Sequence, residues 1–137
     1  MNSIISEHRA IEYLIHRFSL LNLPLSEDHT NDELILAQKA KKFILNNFKT
    51  PPSLKELAQK IGTNDFKLKK VYKKVYQTTV YADIQKLRLE RSNLMLRENL
   101  MSVSEIAKEV GYKHQGHFSS IFYKTYGVYP KDLKNSL

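Results

Sequence analysis

Two short stretches of this 137-residue chain hold the side chains best suited to chemistry on a partner. The first, about 64–76, presents Phe66, Lys67, Lys69, Lys70, Lys73 and Lys74 once the helically spaced Leu68, Val71, Tyr72 and Val75 are set aside. The second, about 114–126, presents His114, Gln115, Gly116, His117, Ser119, Ser120, Tyr123 and Lys124 around Phe118, Ile121, Phe122 and Thr125. Lysine neutralises phosphates and donates to guanine O6 and N7, glutamine pairs with adenine, and serine bonds to bases or phosphates. Phe66 either meets a thymine methyl or folds back onto the core, and its position leaves both open. A solvated helix surface is the plain alternative for the lysines, so the decision falls to the elements that carry them. His114 and His117 have a spacing that could share a metal. The chain has no cysteine, however, and no well-placed carboxylate completes a four-ligand set, so no metal is expected. It also has no phosphate-binding glycine loop, no thiol and no Ser-His-Asp setting. No catalytic residue, no cofactor and no enzyme activity are expected.

The elements that must position these residues occur as an internal duplication. Ser53-Leu-Lys-Glu56 and Ser102-Val-Ser-Glu105 both match the capping box, in which serine accepts from the third helical amide and glutamate reaches back. Leu54, Leu57, Ala58 and Ile61 follow the first box, and Val103, Ile106, Ala107 and Val110 follow the second, at amphipathic spacing. Each copy then reaches a glycine, Gly62 or Gly111, able to end a helix in the left-handed region. The lysine-bearing and the serine-bearing stretches come next. Two short helices joined by a glycine-containing turn make a helix-turn-helix, and it occurs twice. Val80 to Glu98 between the copies reads as a long helix. Val80, Ile84, Leu87, Leu94 and Met95 lie on one side of it and Leu89 and Leu96 nearly opposite, so it should pack on two sides and join the units.

Upstream, residues 33–48 read as a helix with Leu36, Ala40, Phe43, Ile44 and Asn47 on one stripe, stopped by Thr50-Pro51-Pro52. Residues 4–20 read as an amphipathic helix and the acidic, Pro24-containing stretch after it as a linker. The fold class is therefore all-α. It comprises an N-terminal segment over 1–32 and a double helix-turn-helix domain over 33–137. The net charge of +8 is uneven, because residues 1–32 hold 2 basic and 5 acidic groups against 20 and 9 in the remainder. A basic segment of that density suits a polyanion. No secretory signal and no apolar run long enough for a bilayer are visible, so the reading is cytoplasmic, nucleoid-associated and free of membrane partners. A helical protein-interaction adaptor with a basic face is the competing function.

With those residues in view, the chain from about Leu34 to Leu133 resembles the DNA-binding domain of the AraC/XylS family of transcription regulators. The resemblance rests on Ile106–Pro130 (IAKEVGYKHQGHFSSIFYKTYGVYP), on LAQKIGTNDFKLKKVYKKVYQTTV in the first copy and on IQKLRLERS in the long helix. It implies about seven helices in two subdomains, with both recognition helices entering successive major-groove segments of double-stranded DNA. It further implies base reading by Phe66, Lys69 and Lys70, and by Gln115, Gly116 and Ser120, with His117 and Ser119 nearer phosphates. RNA polymerase is the implied downstream partner. Three departures stand out: Gln77 where the family usually has glycine, His114 in place of a frequent asparagine, and Gly116 in place of a frequent serine. Most discrimination is accordingly expected from the first unit. For the helix at 4–20 three readings stand: a homodimerisation helix, the tail of a sensor domain, or an extra helix packed on the DNA-binding unit.

Overall fold

A computed structural model describes residues 30–136 of the protein. The helix expected over 4–20, and nearly all of the expected 1–32 segment, lie outside the described residues. Among those described there are seven helices and no strand: α1 (Asn31–Asn47), α2 (Leu54–Lys60), α3 (Asp65–Tyr76), α4 (Val80–Glu98), α5 (Val103–Glu109), α6 (Gln115–Tyr126) and α7 (Pro130–Asn135). They fall into two units, residues 30–86 and 87–136, with the boundary inside α4.

In the first unit α1 packs against α2 and α3, and α2 against α3. α1 starts two residues earlier than its apolar pattern suggests, because Thr30 caps it. The Thr30 hydroxyl accepts from the Glu33 amide at 3.1 Å while the Glu33 carboxylate accepts from the Thr30 amide at 2.9 Å, a complete capping box. The buried stripe of α1 is Ala37, Ala40, Lys41, Ile44 and Leu45. Leu36 and Phe43 are only half-buried, and Asn47 turns its amide to the Phe43 carbonyl at 2.8 Å. The expected stripe is thus rotated by about one residue, since a carboxylate across the core draws Lys41 inward. Leu57, Ala58, Leu68, Val71, Tyr72, Val75, Tyr76, Val80, Asp83 and Ile84 complete the buried set of this unit.

The second unit closes around Leu89, Met95, Leu96, Ile106, Ala107, Val110, Tyr112, Phe118, Phe122 and Leu133. Phe118 lies 5.7 Å from Phe122 and Phe122 lies 4.7 Å from Tyr126, ring centre to ring centre, so aromatic packing supplies much of this core. Thr125, expected on the core face, is exposed. The half-buried Tyr126 covers that face one residue later. α4 runs unbroken for 19 residues and is buried at Val80, Ile84, Leu87 and Met95 as well as at Leu89 and Leu96, while Leu94 is half-buried. Among the described residues no helix is long and apolar enough to cross a membrane.

Candidate nucleic-acid interface

Each helix-turn-helix is held open by the same backbone device. In the first copy Gly62 (φ +85°) follows the α2 C-cap. Its N–H donates to Gln59 at 3.2 Å, and the Thr63 N–H reaches back to the Ala58 carbonyl at 2.8 Å. In the second, Gly111 (φ +107°) donates to Lys108 at 3.0 Å and the Tyr112 N–H reaches Ala107 at 2.9 Å. Both are Schellman turns, and their left-handed glycine redirects the chain into the second helix with the end carbonyls satisfied. The helices entering these turns are capped unequally. Ser102 and Glu105 form the full reciprocal box. Ser53 accepts from the Glu56 amide at 3.1 Å, but the returning glutamate bond expected from the sequence is not made.

The recognition helices begin differently. Asn64 caps α3, its side-chain oxygen accepting from the Lys67 amide at 2.8 Å, whereas His114 caps α6 with no side-chain bond. α3 carries five lysines against one aspartate, while α6 carries one lysine and no acid. Lys67, Lys69, Lys70 and Lys73 are exposed on the side of α3 away from Leu68, Val71, Tyr72 and Val75. Phe66 is 78% exposed, which settles its position against the fold-back alternative. Lys74 is placed differently from its neighbours. It is half-buried and paired to Glu33 of α1 at 3.1 Å, so its charge is committed inside the unit. The backbone bond from Thr30, followed by Lys74, holds the Glu33 carboxyl below the usual carboxylate range.

At the cap His114, and on α6 Gln115, Gly116, His117, Ser120 and Lys124, are exposed, and Ser119 is half-buried. The His117 ring meets the buried Tyr112 ring edge-on at 5.7 Å, which ties it to the turn. A Cβ added at Gly116 would meet nothing within 4 Å. Tyr123 stacks on Tyr129, with centroids 4.5 Å apart and planes at 24°, an exposed pair that helical spacing alone does not disclose. Among the described residues no group of three or more His, Asp or Glu side chains could hold a metal ion.

Behind the α3 surface lies a buried polar cluster that the sequence reading missed. Lys41 (1% exposed) donates through Nζ to Asp83 Oδ2, and Asp83 is itself 3% exposed. The Tyr72 hydroxyl donates to the same oxygen at 2.5 Å. The Lys41 ammonium also sits 4.3 Å from the Tyr76 ring centre and 5.4 Å from that of Tyr72. Burial, reinforced by the Asp83 charge, raises the Tyr72 hydroxyl far above its ordinary value and pushes Tyr76 up to about 12. Both phenols stay protonated. Lys41 and Asp83 occupy helical core spacings, but a pairing across 42 residues leaves no local signal.

Residues 57–136 match the family described as "Helix-turn-helix domain". The chain is 23% identical over 130 residues to the Msm operon regulatory protein of Streptococcus mutans, covering 95% of this chain and 46% of that protein. It is 34% identical over 68 residues to the HTH-type transcriptional activator RhaR of Mannheimia succiniciproducens, covering 50% of this chain and 25% of that one. The chain thus spans less than half the length of these curated relatives. In fold it is similar to an AraC-type DNA-binding-domain regulator from Chromobacterium violaceum (TM-score 0.69, 21% identity, 77% of this chain and 95% of that one). It is likewise similar to the C-terminal domain of AraT, a response regulator from Geobacillus stearothermophilus (TM-score 0.69, 23% identity, 74% and 85%).

Proposed function

The chain belongs to the AraC/XylS helix-turn-helix family, and on that footing we propose that it binds specific double-stranded DNA as a transcription regulator. The observation that carries this reading is the twice-repeated Schellman turn. In each copy it leads into a helix with one buried face and one exposed polar face. α3 and α6 read two half-elements in successive major-groove segments. Phe66, Lys69 and Lys70 read bases in the first. Lys67 and Lys73 neutralise phosphates there, and Lys74 supports the helix through Glu33. Gln115 and Ser120 read bases in the second, beside Gly116, while His114, His117, Ser119 and Lys124 position α6 on the backbone. Regulation proceeds by recruiting or blocking RNA polymerase. The protein works in the cytoplasm on nucleoid DNA, without catalysis, and residues 1–32, ahead of the double helix-turn-helix domain, serve in dimerisation or belong to a sensor domain.

Selection from a random duplex library, read by sequencing, tests this directly. A non-palindromic site with two half-elements is expected. Lys69→Ala or Lys70→Ala should relax base preference in one half-element, whereas Lys67→Ala should weaken all duplexes alike and reduce the salt slope by about 1. No enrichment over bulk DNA would remove the reading and leave the basic protein-interaction adaptor in its place.

A further inference from the structure

We propose that Lys41, Tyr72 and Asp83 are positioning residues that select the rotation of α3, and thereby which side chains the first recognition helix offers to DNA. The proposal rests on the DNA-binding reading above. Its starting point is that apolar packing is non-directional, so a helix whose inner face is Leu68, Val71 and Val75 tolerates more than one rotation. Hydrogen bonds do not share that tolerance. Asp83 Oδ2 accepts from α1 through Lys41 and from α3 through Tyr72, so one oxygen at the start of α4 fixes both neighbours. The ammonium is also lodged over the Tyr76 ring, one helical turn beyond Tyr72. Turning α3 by one residue, about 100°, would bring Val71 or Lys73 to the carboxylate and withdraw the hydroxyl and the ring. Asp83 would keep Lys41 but lose its second donor, and the buried ammonium would lose its ring, so a buried ion pair would be left less well satisfied. Lys70 lies about 160° around the helix from Tyr72, so what holds Tyr72 inward holds Lys70 outward. In the second copy the residue corresponding to Tyr72 is Phe122, which has no hydroxyl to anchor. The device therefore belongs to the lysine-bearing helix alone.

The test compares wild type, Tyr72→Phe, and the apolar triple variant Lys41→Met/Tyr72→Phe/Asp83→Leu. Each is measured well below its melting temperature. The first readout is the ratio of Kd on bulk DNA to Kd on the selected duplex, and the second is amide hydrogen exchange along α3. The triple variant should stay folded, lose about tenfold in the ratio, which is the discrimination carried by one well-placed side chain, and exchange faster along α3 than wild type. A folded triple variant with an unchanged ratio overturns the proposal. Should the triple variant not fold, Tyr72→Phe decides: a lowered ratio at near-unchanged stability supports positioning, and an unchanged ratio refutes it. If wild type itself prefers no duplex, the DNA reading fails separately. Exchange along α3 then decides, with faster exchange in the folded variants supporting positioning and unchanged exchange refuting it.

Discussion

Breaking the buried pair from one side should cost far more than removing it from both. Lys41→Met leaves Asp83, 3% exposed, with only the Tyr72 hydroxyl, and losing one partner of a buried pair costs about 3–5 kcal/mol. Asp83→Leu takes the carboxylate away from the buried Lys41 ammonium instead. The Tyr76 ring at 4.3 Å offsets part of that penalty, by about 0.5–2 kcal/mol, so this variant should fall near the lower end. A domain of this size has a total stability of only about 5–15 kcal/mol, so either change removes a large share of it. The combined Lys41→Met/Asp83→Leu variant carries no stranded charge and should return to within about 1 kcal/mol of wild type, or exceed it. The cycle is therefore predicted to be more non-additive than the about 0.5–3 kcal/mol usual for contacting residues. Urea unfolding followed by far-UV circular dichroism reads it, because the chain has no tryptophan to report by fluorescence. Single variants that each lose under about 1 kcal/mol and add in the double would put the pair in the class of exposed ion pairs and refute the reasoning.

The left-handed Gln77 (φ 60°, ψ 25°) ends α3 where Gly127 ends α6. Gln77→Gly should gain up to about 1 kcal/mol after relief of the left-handed strain is set against greater unfolded-state entropy. A lower melting temperature in this variant would contradict that. Glu105 is held below its usual value of 4.5, first by the backbone bond from Ser102, so its contribution is complete above 4.5 and fades as pH falls through the lower folded value. Glu105→Gln keeps an acceptor for that bond without the titration. Its melting temperature should decline less than that of wild type on acidification below pH 4.5, and parallel curves would count against the box. Gly116→Ala, placed in helix with free space around the added Cβ, should stabilise the second unit by up to about 1 kcal/mol in a thermal melt. No gain would mean that the start of α6 is frayed in solution.

Periodicity and caps made the helices legible. The two recognition helices begin one residue after Asn64 and His114, and α4 spans Val80 to Glu98 as the apolar pattern requires. Thr30-Asn-Asp-Glu33 carried the same capping signature as the two serine boxes and would have placed the start of α1 correctly. What stayed hidden depends on partners distant in sequence. Lys41 reads as a surface lysine until Asp83 is brought to it, and Lys74 reads as one more phosphate contact until Glu33 is found beside it. The exposure of Phe66 was equally out of reach, since helical spacing says which face a side chain occupies but not whether the chain covers it.

Gly116 gives the second recognition helix an unequal capacity for change. An exposed helical position with room for a side chain and none in place lets a single substitution add a new contact while the fold stays as it is. On α3, a change at the inner-face Tyr72 must also satisfy a buried charge pair. If the two helices read DNA as proposed, a new contact at the start of α6 comes from one substitution, whereas a change at the inner face of α3 takes several together.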